Sequence, residues 1–285
     1  MRRLGVSNLA WAPDAEARAF ALLAGQGAEG VEVAPTRIAP WESLTPARLA
    51  AFRRGCTEAG LAVSSLQAVF FNKPEVALLA TPSAFEAMCE HMRLLAGIAE
   101  ALGAGIAVFG APRSRLRGAM PAEDAMALAS ERLRVLGGIA AGGGLTLGME
   151  PVPPVYGADF LNHARDIVRI VRQTDHPHVR AHLDTACVAL AGDDPPDAIR
   201  HAAAMLAHYH MAEPELGPFA TPICDHAAAG RALDEIGYDR WVVIEMKQPA
   251  GDGLDQVATA IAYAKAHYLG QAAVPPAGAQ HRHGC

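Results

Sequence analysis

The feature that most limits what this chain can fold into is an alternation. Short apolar, β-prone runs and amphipathic helical stretches follow one another eight times without a break. Residues 4–11 read as a first strand and residues 14–26 as a helix closed by Gly27. Residues 30–34 form a second short strand. Thr45-Pro46 then opens a helix with a capping hydroxyl and a proline at the first helical position, and Gly60 closes it. Residues 61–71 are apolar and β-prone, and Thr81-Pro82 repeats the same opening for a helix to Leu102. Strands are predicted over 105–110, 145–150, 179–184, 207–211 and 241–246, with helices over 121–141, 159–174, 196–206, 225–236 and 252–268.

Strands that alternate with helices imply a parallel sheet. Eight such units in about 250 residues is the size at which the sheet closes, so the expected fold is a single-domain (β/α)8 TIM barrel of the α/β class. The rival, an open doubly wound sheet, needs a G-x-G-x-x-G after its first strand, and none is present. Gly142-Gly143-Gly144 precedes a strand instead of opening a helix, which makes it a connector and not a phosphate cradle. The barrel is expected to occupy residues 1–270. Residues 271–285 turn to Ala, Pro, Gly and Gln and end in His281-Arg282-His283-Gly284-Cys285, which reads as a flexible tail.

A net charge of −6 gives no electrostatic reason to expect nucleic acid or an anionic membrane as a partner. No run of apolar residues is long enough for a membrane helix, and the basic start Arg2-Arg3 lacks the apolar stretch of a signal peptide. The five cysteines are scattered and form no CxxC pair, so neither a disulfide framework nor a thiolate zinc site is expected. The expected compartment is the cytoplasm.

In a closed parallel barrel the C-terminal strand ends face one cavity, and chemistry is built there. Glu150, Asp184, His210 and Glu245 fall at the ends of the last four predicted strands. Their spacings of 34, 26 and 35 residues (184−150, 210−184, 245−210) each correspond to one strand–helix unit. Carboxylates at the ends of apolar strands are costly unless neutralised, and three of them with one imidazole suit one divalent cation. That donor set favours manganese, magnesium or cobalt over zinc, with manganese the first expectation.

The segments Leu147-Gly148-Met149-Glu150-Pro151, His182-Leu183-Asp184-Thr185, His208-Tyr209-His210-Met211-Ala212-Glu213 and Ile236-Gly237-Tyr238-Asp239, leading to Val243-Ile244-Glu245, resemble the xylose isomerase-like superfamily. They are similar in particular to its sugar isomerase/epimerase branch, which includes the ketose 3-epimerases. The resemblance implies that Glu150, Asp184, His210 and Glu245 bind the metal and that Glu150 and Glu245 act as the acid/base pair. It also implies a homo-oligomer, a dimer or tetramer.

Three substrate-contact positions depart from that pattern. The family carries a His where this chain has Cys187 and a Glu where it has Tyr156, and no Arg follows His210 within six residues. Cys187 and Tyr156 stay candidate substrate contacts, with altered chemistry that speaks against a free ketohexose. Glu32 and Gln67 on strands two and three are candidates to bind hydroxyls, and Arg113 is a candidate clamp for a phosphate or carboxylate. Glu213 matches the H-x-x-E element, where it would orient His210 or touch substrate. His182 alternates with Asp184 and is expected one layer deeper. Trp11 and Phe71 are candidate aromatic walls.

The function expected is a metal-dependent isomerase or epimerase that abstracts a proton beside a carbonyl, through an enediolate, on a modified or acidic sugar. The alternatives are a dehydratase or lyase using the same site and a non-catalytic sugar-binding barrel. A repair endonuclease of this fold would need a histidine-rich multi-zinc cluster and a basic face, and neither is expected here.

Overall fold

A computed structural model describes residues 1–269, so the expected tail lies outside the described residues. Eight strands pair in chain order: β1 (Arg3–Ser7), β2 (Gly30–Val33), β3 (Ala62–Leu66), β4 (Ile106–Phe109), β5 (Thr146–Met149), β6 (Val179–Asp184), β7 (Leu206–Ala212) and β8 (Trp241–Glu245). All pairings are parallel, and β8 closes on β1 with Val6 opposite Ile244. The expected (β/α)8 barrel is the observed one.

The helices are α1 (Glu16–Gly25), α2 (Pro46–Glu58), α3 (Pro82–Leu102), α4 (Ala122–Ala141), α5 (Ala164–Thr174), α6 (Thr185–Leu190), α7 (Pro195–Ala202), α8 (His226–Glu235) and α9 (Leu254–Tyr268). Helix starts were readable because their caps are local. The Thr45 hydroxyl accepts from Arg48 N–H and the Thr81 hydroxyl from Ala84 N–H, each with proline at the next position. Removing such a cap costs about 1 kcal/mol. Helix α3 buries Met88, Met92, Leu95, Ala99 and Leu102 at helical spacing, which is the stripe that pins it to the barrel. It ends at Gly103 in the left-handed conformation (φ 80°), where a side chain would be strained. Among the described residues no helix is long and apolar enough to cross a membrane.

The first strand ends at Ser7, short of the expected residue 11, and the helix expected over 196–206 ends at Ala202. Three other differences have a backbone reason. The third strand stops at Leu66 because Ala68 turns left-handed (φ 51°), and residues 67–81 become a long loop over the barrel mouth. The fifth helix starts at Ala164 instead of 159, after Leu161 at φ 57°. A short helix not foreseen, α6, starts directly at the end of β6, with Asp184 as its cap.

Candidate active site

Asp184 is both the last residue of β6 and the cap of α6. Its Oδ1 accepts the backbone N–H of Cys187 at 2.6 Å, which fixes the carboxylate plane and leaves Oδ2 buried with no hydrogen-bond partner among the described residues. The β6–β7 register sets Asp184 directly beside His210. His210 Nδ1 lies 3.9 Å from Asp184 Oδ2 and 3.1 Å from Glu245 Oε2, the last residue of β8. Glu150, next after β5, completes the group. One donor atom each from Glu150, Asp184 and His210 lie within 4.8 Å of one another, all buried. The four residues singled out at the strand ends therefore converge.

Glu150 reaches this position because Gly110, at the end of β4, has no side chain. A Cβ there would overlap Glu150 Oε2 and sit 3.3 Å from its Cδ. Burial first, then the charges of Asp184 and Glu245, push the Glu150 carboxyl well above its ordinary value. Burial and Glu245 likewise push Asp184 up to about 7. Carboxylates this crowded repel one another, and a cation among them removes that cost. The donor set of three carboxylates and one imidazole fits a divalent ion, with Asp184 Oδ2 as an oxygen that no protein group claims.

Beneath these groups lies a polar layer inside the barrel. Glu32 on β2 is fully buried and accepts from Ser65 Oγ at 2.7 Å. It also meets His208 Nε2 at 3.0 Å, and His210 Nε2 at 2.9 and 3.0 Å from its two oxygens. Burial opposes its charge, but the two imidazoles overcome that penalty and hold its carboxyl well below the ordinary range. Burial opposes a charge on His210, but Glu32 and Glu245 overcome that penalty and raise its basicity well above normal, so the ring donates from Nε2 to Glu32 and from Nδ1 to Glu245. A cation would take the place of the Nδ1 proton while Glu32 keeps hold of Nε2–H, as carboxylate–histidine pairs orient metal-binding imidazoles. His182 lies one layer deeper than Asp184, as expected, 3.4 Å from Glu150 Oε1. Burial and the two neighbouring imidazoles lower its basicity well below normal.

Two expectations are corrected here. Glu32 does not present itself to substrate, because the residue is buried at zero exposure and its Oε2 is held by Ser65, His208 and His210. The absence of a histidine cluster was also wrong: His182, His208 and His210 do meet within 4.8 Å. They are internal, fully buried and bound up with Glu32, whereas a surface zinc cluster would be open to solvent.

Glu213 is the third correction. It turns away from His210, accepting from His226 Nε2 at 2.7 Å and from the backbone N–H of Ile223 and Cys224 at 2.9 and 3.2 Å. His226 Nδ1 in turn meets the Tyr268 hydroxyl at 2.6 Å. Glu213 thus fastens the loop between β7 and α8 to the last helix. The remaining candidates fall in different places. Gln67 and Arg113 line the cavity above the carboxylates together with Glu150 and Glu245. Cys187 is half-buried against Asp184, and burial with the surrounding carboxylates pushes its thiol well up. The Tyr156 hydroxyl accepts from Glu215 N–H at 2.9 Å, bridging the β5 and β7 loops. Of the two aromatic candidates, Phe71 lines the cavity while Trp11 is buried in the core against Phe20.

Arg115, which with Arg113 and Arg117 follows the fourth strand, reads in the sequence only as part of a loop that clamps an anion or is solvated. Its side chain is fully buried, with Nη1 donating to the Phe109 carbonyl at 3.3 Å and Nε and Nη2 meeting no acceptor among the described residues. Burial lowers its basicity to about 10, and the nearby Glu150 charge opposes that shift. Its positive charge offsets part of the carboxylate repulsion. The only signal was its place in a loop of three arginines, which cannot tell a buried side chain from a solvated one.

The family profile of the xylose isomerase-like TIM barrel matches residues 20–267. The chain belongs to this family. One relative within reach, an L-ribulose 3-epimerase from Mesorhizobium japonicum (strain LMG 29417 / CECT 9101 / MAFF 303099), is 30% identical over 118 residues. That match spans 41% of this chain and 39% of the relative, so the chain aligns with less than half of that protein's length. Among solved structures, D-psicose 3-epimerase from Clostridium cellulolyticum H10 superposes with a TM-score of 0.78 at 16% identity, covering 93% of this chain and 99% of that one. The 3-keto-D-glucoside 4-epimerase of E. coli superposes with a TM-score of 0.74 at 17% identity, covering 93% and 100%. At these identities the likeness is one of fold.

Proposed function

We propose that this chain is a sugar epimerase or isomerase that uses one divalent cation held by Glu150, Asp184, His210 and Glu245. The observation that carries this reading is the convergence of three carboxylates, two of them buried, on an imidazole whose far nitrogen is tied to Glu32. The family and the partial match to a ketose 3-epimerase support it. When bound, the cation supplies Lewis acidity that polarises a substrate carbonyl and acidifies the neighbouring C–H.

Glu150 and Glu245 line one cavity from β5 and β8, strands separated by β6 and β7, so they reach a sugar lying between them from different sides. One carboxylate removes the proton on carbon, and the other returns one from the opposite face, which inverts the centre. Asp184, pinned by its helix-capping bond, and His210, pinned by Glu32, hold their positions while the two glutamates exchange protons. Arg115 limits the charge that accumulates when both glutamates are ionised.

The test is incubation of manganese-loaded protein in deuterium oxide with ketoses, aldoses, uronates and keto-sugar derivatives, read by NMR. Exchange at the carbon beside the carbonyl, lost in Glu150→Gln and Glu245→Gln, is the expected result. A protein that exchanges nothing, or whose exchange survives both substitutions, refutes the reading.

A further inference from the structure

The cavity floored by Glu150 and Glu245 has a volume of about 610 Å³, which is in the range of pockets that enclose drug-sized ligands and more than a bare sugar fills. Its walls are also the wrong kind for a bare sugar. A free sugar carries hydroxyls around its whole ring, and each one buried without a partner is costly. Away from the carboxylates the cavity runs between the β3–α3 and β4–α4 loops, where Leu9, Val69, Phe70, Phe71, Pro74 and Val108 face it. On the same surface, the carboxylates aside, the polar side chains are the minority, Gln67, Asn72, Lys73, Arg113 and Ser114, and two of them are engaged: Gln67 donates its amide to Ser7, and Lys73 pairs with Glu75 at 3.3 Å.

Two further observations point the same way. Phe71 stands 55% exposed at this lip, a large aromatic face offered to whatever enters. Ala68, Asn72 and Ala111, all on the cavity wall, hold left-handed backbone at φ 51°, 55° and 25° although none is glycine. Strain of this kind costs on the order of 1–3 kcal/mol per residue and concentrates where a loop must hold a fixed shape around a ligand.

We propose that this slot takes an apolar, ring-sized substituent, so that the substrate is a glycoside with an apolar aglycone whose sugar ring carries a ketone beside the carbon that exchanges its proton, and not a free ketose. The inference rests on the reading that the sugar's reacting carbons lie between Glu150 and Glu245. The aglycone then stacks on Phe71 and lies against Val69 and Val108 while the sugar ring faces the carboxylates.

The test compares methyl and phenyl glycosides of glucose, galactose and mannose as probes, titrated calorimetrically into manganese-loaded protein. Burying a phenyl ring in an apolar slot is expected to tighten binding at least about tenfold over the methyl partner for one or more of the sugars. The preference should shrink to about threefold or less in Phe71→Ala and return in Phe71→Tyr, with circular dichroism confirming that each exposed-site variant folds. Equal affinity of phenyl and methyl partners, no binding by any of the six, or a preference indifferent to Phe71→Ala overturns the proposal. The outcome is separable from that of the proton-transfer reading. A phenyl preference without deuterium exchange keeps the slot and removes the chemistry, whereas exchange on free ketoses without a phenyl preference does the reverse.

Discussion

Adding one methyl group at Gly110 should separate activity from stability. The new Cβ would overlap Glu150 Oε2 and crowd its Cδ at 3.3 Å, and nothing else in its surroundings comes closer than Val152 Cγ2 at 3.8 Å. The obstructed atom is the end of a flexible side chain, so the clash relaxes by rotating the carboxylate and leaves the backbone where it is. Clearing ordinary contact distance displaces that carboxylate by about 1 Å, and a misplacement of this size costs about a hundredfold in rate. Stability should change by less than about 1 kcal/mol, because no core volume is lost and no apolar contact is broken. The assay is deuterium exchange on the best substrate alongside urea denaturation and manganese titration of Gly110→Ala. Wild-type turnover in Gly110→Ala would refute the argument that Glu150 must occupy the space that glycine leaves. A loss of several kcal/mol in stability would show that the backbone, not the carboxylate, yields.

Three further outcomes are expected. Glu32→Gln removes the anion that orients His210, so manganese affinity measured by calorimetry should fall about 10- to 100-fold with the fold intact; unchanged affinity would show that Glu32 merely fills the barrel. Cation binding should release protons and weaken in acid. Asp184, pushed up to about 7, holds a proton below that pH that the cation must displace, so apparent affinity falls by up to about tenfold per pH unit there; a flat profile between pH 5 and 7 would contradict this. In the metal-free protein the same group, whose folded value exceeds its ordinary 3.8, contributes a stability that declines as pH rises across that window. His226→Ala leaves the buried Glu213 without its imidazole partner and should cost about 1–3 kcal/mol in urea unfolding while manganese affinity stays within about twofold.

The barrel was legible because its signals are local. Proline after threonine, glycine after a helix and the alternation of apolar patterns each act within a few residues, and parallel strands in chain order then leave little choice of topology. The four strand-end donors were legible for the same reason, since one strand–helix unit separates each from the next. What failed was direction. Glu32 lies near the end of β2 and Glu213 follows β7, where a substrate-binding residue would also sit. Glu32 instead turns inward to histidines 176 and 178 residues away, and Glu213 turns outward to a loop ten to thirteen residues on. Nothing in the order of residues encodes those pairings. Arg115 was hidden likewise, because burial of one arginine among three is decided by how the β4 loop folds over Glu150.

Asp184 does three jobs with one side chain: it ends a strand, starts a helix and offers an oxygen to the cavity. The beginning of α6 and the proposed grip on a cation therefore share a single rotamer. Loading the centre should slow amide exchange at the first turn of that helix, from Thr185 to Cys187, although none of those amides would touch the ion. Any substitution that changes the donor there also changes where the chain turns from sheet to helix, which ties the selectivity of this position to the local architecture.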